Sequence, residues 1–405
     1  MPQRWQFALP TRIQFGKGSV RKLGATAKEF GQTAMLVGYR EQGALEAMYR
    51  RAEESLRAAG LKTVPFYEVD ADPGGQMIAE GAERATTEGV DVVVGLGGGS
   101  AIDAAKGVAL LARLGGRMWD YADMNPQRRP VTAMLPLVAV PTTAGTGSEV
   151  TGITVFTHSS DVLPGVPLKA SIFASAICPQ VAIVDPMLTV GSPPRLTAGC
   201  AADALGHGIE ACISRISDPI SAALGARAVG LIVRHLRDAV AAPSDPKPRE
   251  PLALASMLAG IALNTVAVTL AHAMAQALGA LLHIPHGEAV AIGTHAGLRY
   301  NKEVCAPIYA ELAEQCGLSG GSVDERAERF IEHIGELLRD VGLPDRVAPR
   351  DGLPENLVPR LVRHALEVTD VPLTLNPRKV DQAALTAVFR QVCPANQTKK
   401  DFRIS

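Results

Sequence analysis

Up to about Ser192 the chain alternates short valine-rich runs with stretches of helical period, and beyond that point the runs stop. TAMLVG (33–38), KTVPFY (62–67), DVVVGLG (91–97), PLVAVP (136–141) and VAIVD (181–185) read as buried strands, most of them closed by Gly, Pro or Asp. Near-continuous apolar runs of this length suit strands covered on both faces. Between the early ones lie helix-patterned stretches such as GALEAMYRRAEESLRAAG and GQMIAEGAERATTEG. Strand and helix in alternation predict a parallel sheet, here an α/β domain over residues 1–190. RLTAGCAADALGHGIEACIS, PISAALGARAVGLIVRHLRDAV and LALASMLAGIALNTVAVTLAHAMAQALGALL carry only helical spacing, so residues 191–405 are expected to form an all-α domain. The polar stretch AAPSDPKPREP (241–251) reads as a loop between helices.

A chain of 405 residues favours two domains over one core. Its formal net charge of −1 offers no handle for nucleic acid or an acidic membrane surface. No apolar run reaches the roughly 18 residues of a membrane span. The N-terminal MPQRWQFALPTRIQFGKGSV lacks the apolar core of a signal peptide. Six scattered cysteines without CxxC spacing read as reduced thiols of a cytoplasmic protein.

DVVVGLGGGSAIDAAKGVALLARL is strand, glycine turn and helix in sequence. Gly98 and Gly99 let the backbone approach a ligand, and the helix that follows points its N–H groups at an anion. Ser100 is expected at the N-cap, with Asp103 closing a capping box. A second turn, PTTAGTGSEVT (141–151), places Thr142, Thr143 and Thr146 at the end of another strand. Small hydroxyls there can bond phosphate or ribose, and two such loops at one sheet edge point to a dinucleotide.

The helical half holds a possible ligand set. Asp203 and His207 lie four apart in AADALGHGIEA, on one face of a helix. His272 and His286 come from AHAMAQALGALLHIPHGEAV. One carboxylate and three imidazoles suit Fe²⁺ or Zn²⁺. Cys200, three residues before Asp203, is a weaker candidate, since free cysteine is usually a small buried hydrophobe.

GGGSAIDAAK, PTTAGTGSEVT, AADALGHGIEA, HAMAQALG and PHG occur in the order seen in the iron-containing (group III) alcohol dehydrogenases, and PTRIQFGKGSV and LNPRKV match that family's ends. The resemblance spans nearly the whole chain. It implies a Rossmann-like N-terminal domain and an all-α C-terminal domain of the dehydroquinate synthase-like type, with the active site in the cleft between them. It implies hydride transfer between NAD(P)(H) and an alcohol or aldehyde, one divalent metal, and a homodimer; the Ala-, Leu- and Gly-rich helices with 4% aromatic residues in the chain suit a small or medium aliphatic aldehyde. The resemblance places Asp203, His207, His272 and His286 on the metal positions. It puts Gly98, Gly99 and Ser100 on the pyrophosphate loop and Thr142, Thr143 and Thr146 on the cofactor-contacting loop. Lys169 and Asp72 match positions near the cofactor.

Two places depart from the family pattern. Many members have a second histidine near the nicotinamide where this chain has Gln276, which hydrogen-bonds but does not titrate near neutral pH. A proton relay then needs water, a ribose hydroxyl or another histidine such as His283 or His295. NAD-preferring members often carry an aspartate after the first strand of the alternation, where this chain has Tyr39 and Arg40. Tyrosine removes the repulsion of a 2′-phosphate and Arg40 can pair with one, which favours NADP(H). The same fold also serves maleylacetate reductases, glycerol dehydrogenases and hydroxyacid dehydrogenases, for which Arg299 or Arg378 could recognise a carboxylate. A nucleotide-binding module without turnover is the remaining alternative.

Overall fold

The computed structural model describes residues 4–158, 168–349 and 352–393. The strands are β1 (Arg12–Phe15), β2 (Thr33–Tyr39), β3 (Lys62–Val69), β4 (Val92–Gly97), β5 (Leu137–Pro141), β6 (Ile153–His158), β7 (Leu168–Phe173) and β8 (Val181–Val184). Six of them form one parallel sheet in the order β1-β8-β5-β4-β2-β3. Helices α1 (Leu23–Lys28), α2 (Glu46–Ala58), α3 (Gly75–Thr87) and α4 (Gly99–Leu114) accompany it.

The valine-rich runs are apolar throughout because both faces of the sheet are covered. Met35, Val37 and Val93 face Ile78, Ala82 and Val108. Ala34, Leu36, Val92 and Val94 face Leu23, Ala27, Tyr49 and Leu56. Each expected strand is present. Three others escape pattern reading. β1 is a four-residue edge strand, and β6 and β7 form an antiparallel pair outside the main sheet with every second residue only partly covered.

The chain leaves β2 for β3 in one direction along the sheet and leaves β4 for β5 in the other. The switch point between β2 and β4 leaves a crevice at the strands' C-terminal ends, where α/β sheets bind ligands. Tyr39 ends β2 and Gly97 ends β4 there.

Beyond β8 the described chain is helical: α5 (Pro194–Ile213), α6 (Pro219–Ala241), α7 (Arg249–Val266), α8 (Leu270–Leu282), α9 (His286–Gln315), α10 (Val323–Asp340), α11 (Leu357–Val368), α12 (Asp370–Leu375) and α13 (Gln382–Val392). The long pattern from Leu252 to Leu282 is two helices and not one. Ala267 breaks it at φ 53 and ψ −175, in a region nearly reserved for glycine, and the chain bends by 101°. Hydrophobic period is the same on both sides of such a corner, so the break is invisible to it. Among the described residues no single helix is long and apolar enough to cross a membrane.

The halves are packed together. Phe7, Ile13, Phe15 and Val184 from the sheet side meet Ala253, Met257 and Ile261 of α7. Gly147, at φ +64, lies against Gly260 of α7, and a Cβ on it would sit 2.5 Å from the Gly260 Cα.

Candidate active site

Asp203 and His207 project from one face of α5, His272 from the first turn of α8, and His286 is the first residue of α9. The three histidines converge on one atom. The Asp203 Oδ1 lies 3.2 Å from His272 Nε2, 3.3 Å from His286 Nε2 and 3.6 Å from His207 Nε2. His207 and His272 stack with centroids 4.6 Å apart. Asp203, His207 and His272 are buried, whereas the His286 side chain is 39% exposed and forms the open side. Donor atoms held at about 2.1 Å from a tetrahedral cation are separated by roughly 3.4 Å. The distances from Asp203 Oδ1 to the three Nε2 atoms are of that size, and the donor atoms of Asp203, His207 and His272 all lie within 4.8 Å of one another, a grouping that can hold a metal ion.

Burial and the two buried carboxylates set the rings apart. Burial acts to raise the Asp203 carboxyl, but His207, His286 and His272 hold it well below its usual range. Burial pulls His207 down to about 4, so that ring is neutral. Burial also opposes a charge on His272, yet the carboxylates of Glu210 and Asp203 push it up to about 10.

Glu210 was not singled out from the sequence. It is three residues beyond His207 on the same face of α5, and its buried carboxylate accepts from His272 Nδ1. Its other oxygen accepts from Thr269 N and Thr269 Oγ1, each at 2.8 Å. The spacing Asp203, His207, Glu210 was the available signal.

The glycine turn and the threonine loop meet across the crevice. A Cβ on Gly99 would lie 2.6 Å from the Thr146 methyl, and one on Gly98 would lie 3.0 Å from Tyr39 Oη and 3.3 Å from Thr143. These glycines therefore serve close packing of the turn against the threonine loop and Tyr39. Tyr39 lies over the turn, its ring edge 3.0 Å from a Cβ built on Gly97 and its oxygen 3.0 Å from one built on Gly98. Thr142 is buried, and its N–H donates to Gly97 O at 2.9 Å. Lys169, on β7, pairs with Asp72 at 2.9 Å, and the Ser100 hydroxyl donates to Ala71 O, which ties the Asp72 loop to the turn.

The capping box is absent. Gly98 is the N-cap of α4, and Ser100 lies inside the helix. Asp103 turns inward, where its carboxylate accepts from the Ser148 hydroxyl and from Val155 N at 3.0 Å. Lys106, fully buried, donates to Ser148 Oγ at 2.8 Å, Thr151 Oγ1 at 3.2 Å and Ile153 O at 2.6 Å. Asp103 thus braces the turn that follows Thr146, and a helix-interior carboxylate with a buried lysine one turn on has a better partner than its own N-terminus.

Gln276 follows His272 by one turn of α8 and is half-buried. His283 is an exposed residue at the end of α8, and His295 sits against Gly335 of α10. Cys200 is half-buried beside Thr143, and desolvation pushes its thiol up to about 12. Arg40 is held by Glu68 at 3.4 Å and Asp70 at 3.5 Å. Arg299 pairs with Glu328 at 3.9 Å, and Arg378 with Glu303 at 3.1 Å.

Comparison with known proteins covers both halves. Residues 10–186 match the family described as iron-containing alcohol dehydrogenase, and residues 197–393 match the C-terminal part of the Fe-containing alcohol dehydrogenase family. A 1,3-propanediol dehydrogenase of Citrobacter freundii is 35% identical over 392 residues, covering 96% of this chain and 98% of that protein. An NAD-dependent methanol dehydrogenase of Bacillus methanolicus is 33% identical, over 92% of this chain and 95% of its own. The crystal structure of a 1,3-propanediol oxidoreductase superposes with a TM-score of 0.89 at 34% identity, over 96% of this chain and all of that one.

Proposed function

The chain belongs to the iron-containing alcohol dehydrogenase family and is a metal-dependent alcohol dehydrogenase, and from this premise we propose which residues do the work. Asp203, His207, His272 and His286 hold the divalent ion, Fe²⁺ before Zn²⁺. The observation that carries this is the convergence of three Nε2 atoms on one carboxylate oxygen within 3.2–3.6 Å. When bound, the ion supplies a Lewis acid for the substrate oxygen, and the dinucleotide supplies the hydride acceptor or donor.

The chain's own residues bind and orient. The N–H groups opening α4, with Gly98, Gly99 and Ser100, receive the diphosphate. Thr142, Thr143 and Thr146 bond phosphate or ribose oxygens from the facing loop, and Lys169, paired with Asp72, lies at its rim. Asp103 positions this loop through Ser148 and does not touch the cofactor. His286 stands on the open side from which substrate arrives. Gln276 orients a neighbour by hydrogen bonding and carries no proton, so the hydroxyl proton leaves through water or a ribose hydroxyl.

The cofactor choice changes with the structure. The sequence favours NADP(H) through a free Arg40. Glu68 and Asp70 flank that arginine and would repel a 2′-phosphate, and one relative is named as NAD-dependent. NAD(H) is therefore the proposed cofactor. A small aliphatic alcohol or aldehyde is the proposed substrate, and Arg299 and Arg378, the candidates for holding an acidic one, each already face a carboxylate. The free cysteines support a cytoplasmic enzyme, and the family resemblance supports a homodimer.

One assay tests the reading: NADH and NADPH oxidation with short aliphatic aldehydes, in metal-loaded and chelator-treated protein. Turnover lost with chelator and restored by Fe²⁺, with the lower KM for NADH, is expected. Full turnover in metal-free protein would sink the metal assignment, and a tenfold lower KM for NADPH would sink the cofactor choice.

A further inference from the structure

We propose that Glu210 is a positioning residue for the metal site: one carboxylate oxygen fixes the tautomer of His272 while the other caps helix α8 from outside. The proposal rests on the reading that His272 is a metal ligand. Oε2 takes the hydrogen of His272 Nδ1. With that hydrogen held on Nδ1, Nε2, 3.2 Å from Asp203 Oδ1, is the nitrogen that would release its proton and offer a lone pair to a cation. A carboxylate behind a ligating imidazole sets the ring's orientation and raises its basicity.

The second oxygen has a separate task. α8 begins at Leu270 after the strained corner at Ala267, and its N-cap, Thr269, supplies no side-chain cap. Glu210 Oε1 receives Thr269 N and Thr269 Oγ1 at 2.8 Å and lies 3.5 Å from His272 N. An anion at this end also meets the positive end of the helix dipole. The carboxylate thus ties ring orientation to the place where the helix starts. His207 shows the contrast, since its buried Nδ1 has no hydrogen-bond partner among the described residues.

Glu210→Gln separates the two tasks. The backbone N–H of Thr269 needs an acceptor, so the amide oxygen goes to Thr269 and the NH₂ group faces His272 Nδ1. That arrangement keeps the cap but makes Nδ1 an acceptor and places the hydrogen on Nε2, where the lone pair is required.

The experiment compares wild type, Glu210→Gln and His272→Ala. Metal affinity is measured by chelator competition, ligand geometry by the visible spectrum of the Co²⁺-loaded proteins, and folding by melting of the metal-free forms. Glu210→Gln is expected to bind about 10–100-fold more weakly and to show a changed Co²⁺ spectrum while still giving a cooperative melting transition without metal, at a lower temperature than wild type because His272 loses a buried partner. Wild-type affinity and spectrum in Glu210→Gln overturn the proposal. If His272→Ala also retains metal, the ligand assignment itself has failed; if only His272→Ala loses it, Glu210 alone was misassigned. Should Glu210→Gln not fold, ¹⁵N spectra of the histidine rings in Zn²⁺-loaded wild type decide. A proton on His272 Nδ1 supports the proposal, and a bare Nδ1 overturns it.

Discussion

Lys106 and Glu149 put buried ionisable groups inside the first domain, and they make the stability of this chain depend on pH. Burial pushes the Glu149 carboxyl from 4.5 up to about 7, while burial pulls Lys106 down to about 8. For Glu149 the folded state holds its proton more tightly than the unfolded chain does. Its contribution is therefore fully present below pH 4.5 and is lost as pH rises through 7. Glu149→Gln is expected to flatten the fall in Tm between pH 4.5 and 7 and to raise Tm at pH 8. Calorimetry across that range checks this, and an identical Tm–pH curve in the variant would exclude it. At this scale Asp203, His207, His272 and His286 were legible, because residue type and helical spacing advertise a ligand set. Arg40 and Asp103 were not, because their partners come from distant segments: Glu68 and Asp70 for one, Ser148 and Val155 for the other.

Helix spacing, more than any single ligand, sets whether the four donors meet. A Cβ on Gly287 would lie 2.2 Å from Gly199 O, and one on Gly293 would lie 2.3 Å from Ala271 O. Both clashes are with backbone, which cannot rotate away. Gly199 lies one turn before Asp203 on α5 and Gly287 follows His286, so this contact carries α9 onto the ligand face of α5. Gly287→Ala is expected to cost about 1–3 kcal/mol by overpacking. It also moves the His286 ring from Asp203 and weakens metal binding at least tenfold. Chelator competition together with a melting curve tests this, and unchanged metal affinity in a folded variant would contradict it. The helices themselves were readable from period. Their corner was not, since the backbone at Ala267 is fixed by what surrounds it and not by alanine's own preference.

Across the whole molecule the ion would join α5, α8 and α9, of which the first two are separated along the chain by α6 and α7. A ligand that binds the folded state alone stabilises it by mass action, about 4.1 kcal/mol at a thousandfold excess over Kd. Metal-loaded protein is therefore expected to melt well above chelator-treated protein, and the difference should vanish in His272→Ala. Equal melting of loaded and metal-free wild type would refute that linkage. The proposed dinucleotide crevice depends on the same architecture, because Gly147 and Gly260 press the threonine loop directly against α7.

The sequence by itself determined the two-part architecture, the glycine and threonine turns and the four candidate ligands, because each is written in local spacing, in residue type or in a turn's need for glycine. Tertiary structure decided the β6–β7 pair, the corner at Ala267, the engagement of Arg40 and the place of Glu210 behind His272. Each of these is set by a partner far away in the chain, and no local pattern encodes which carboxylate will reach which nitrogen once the helices close.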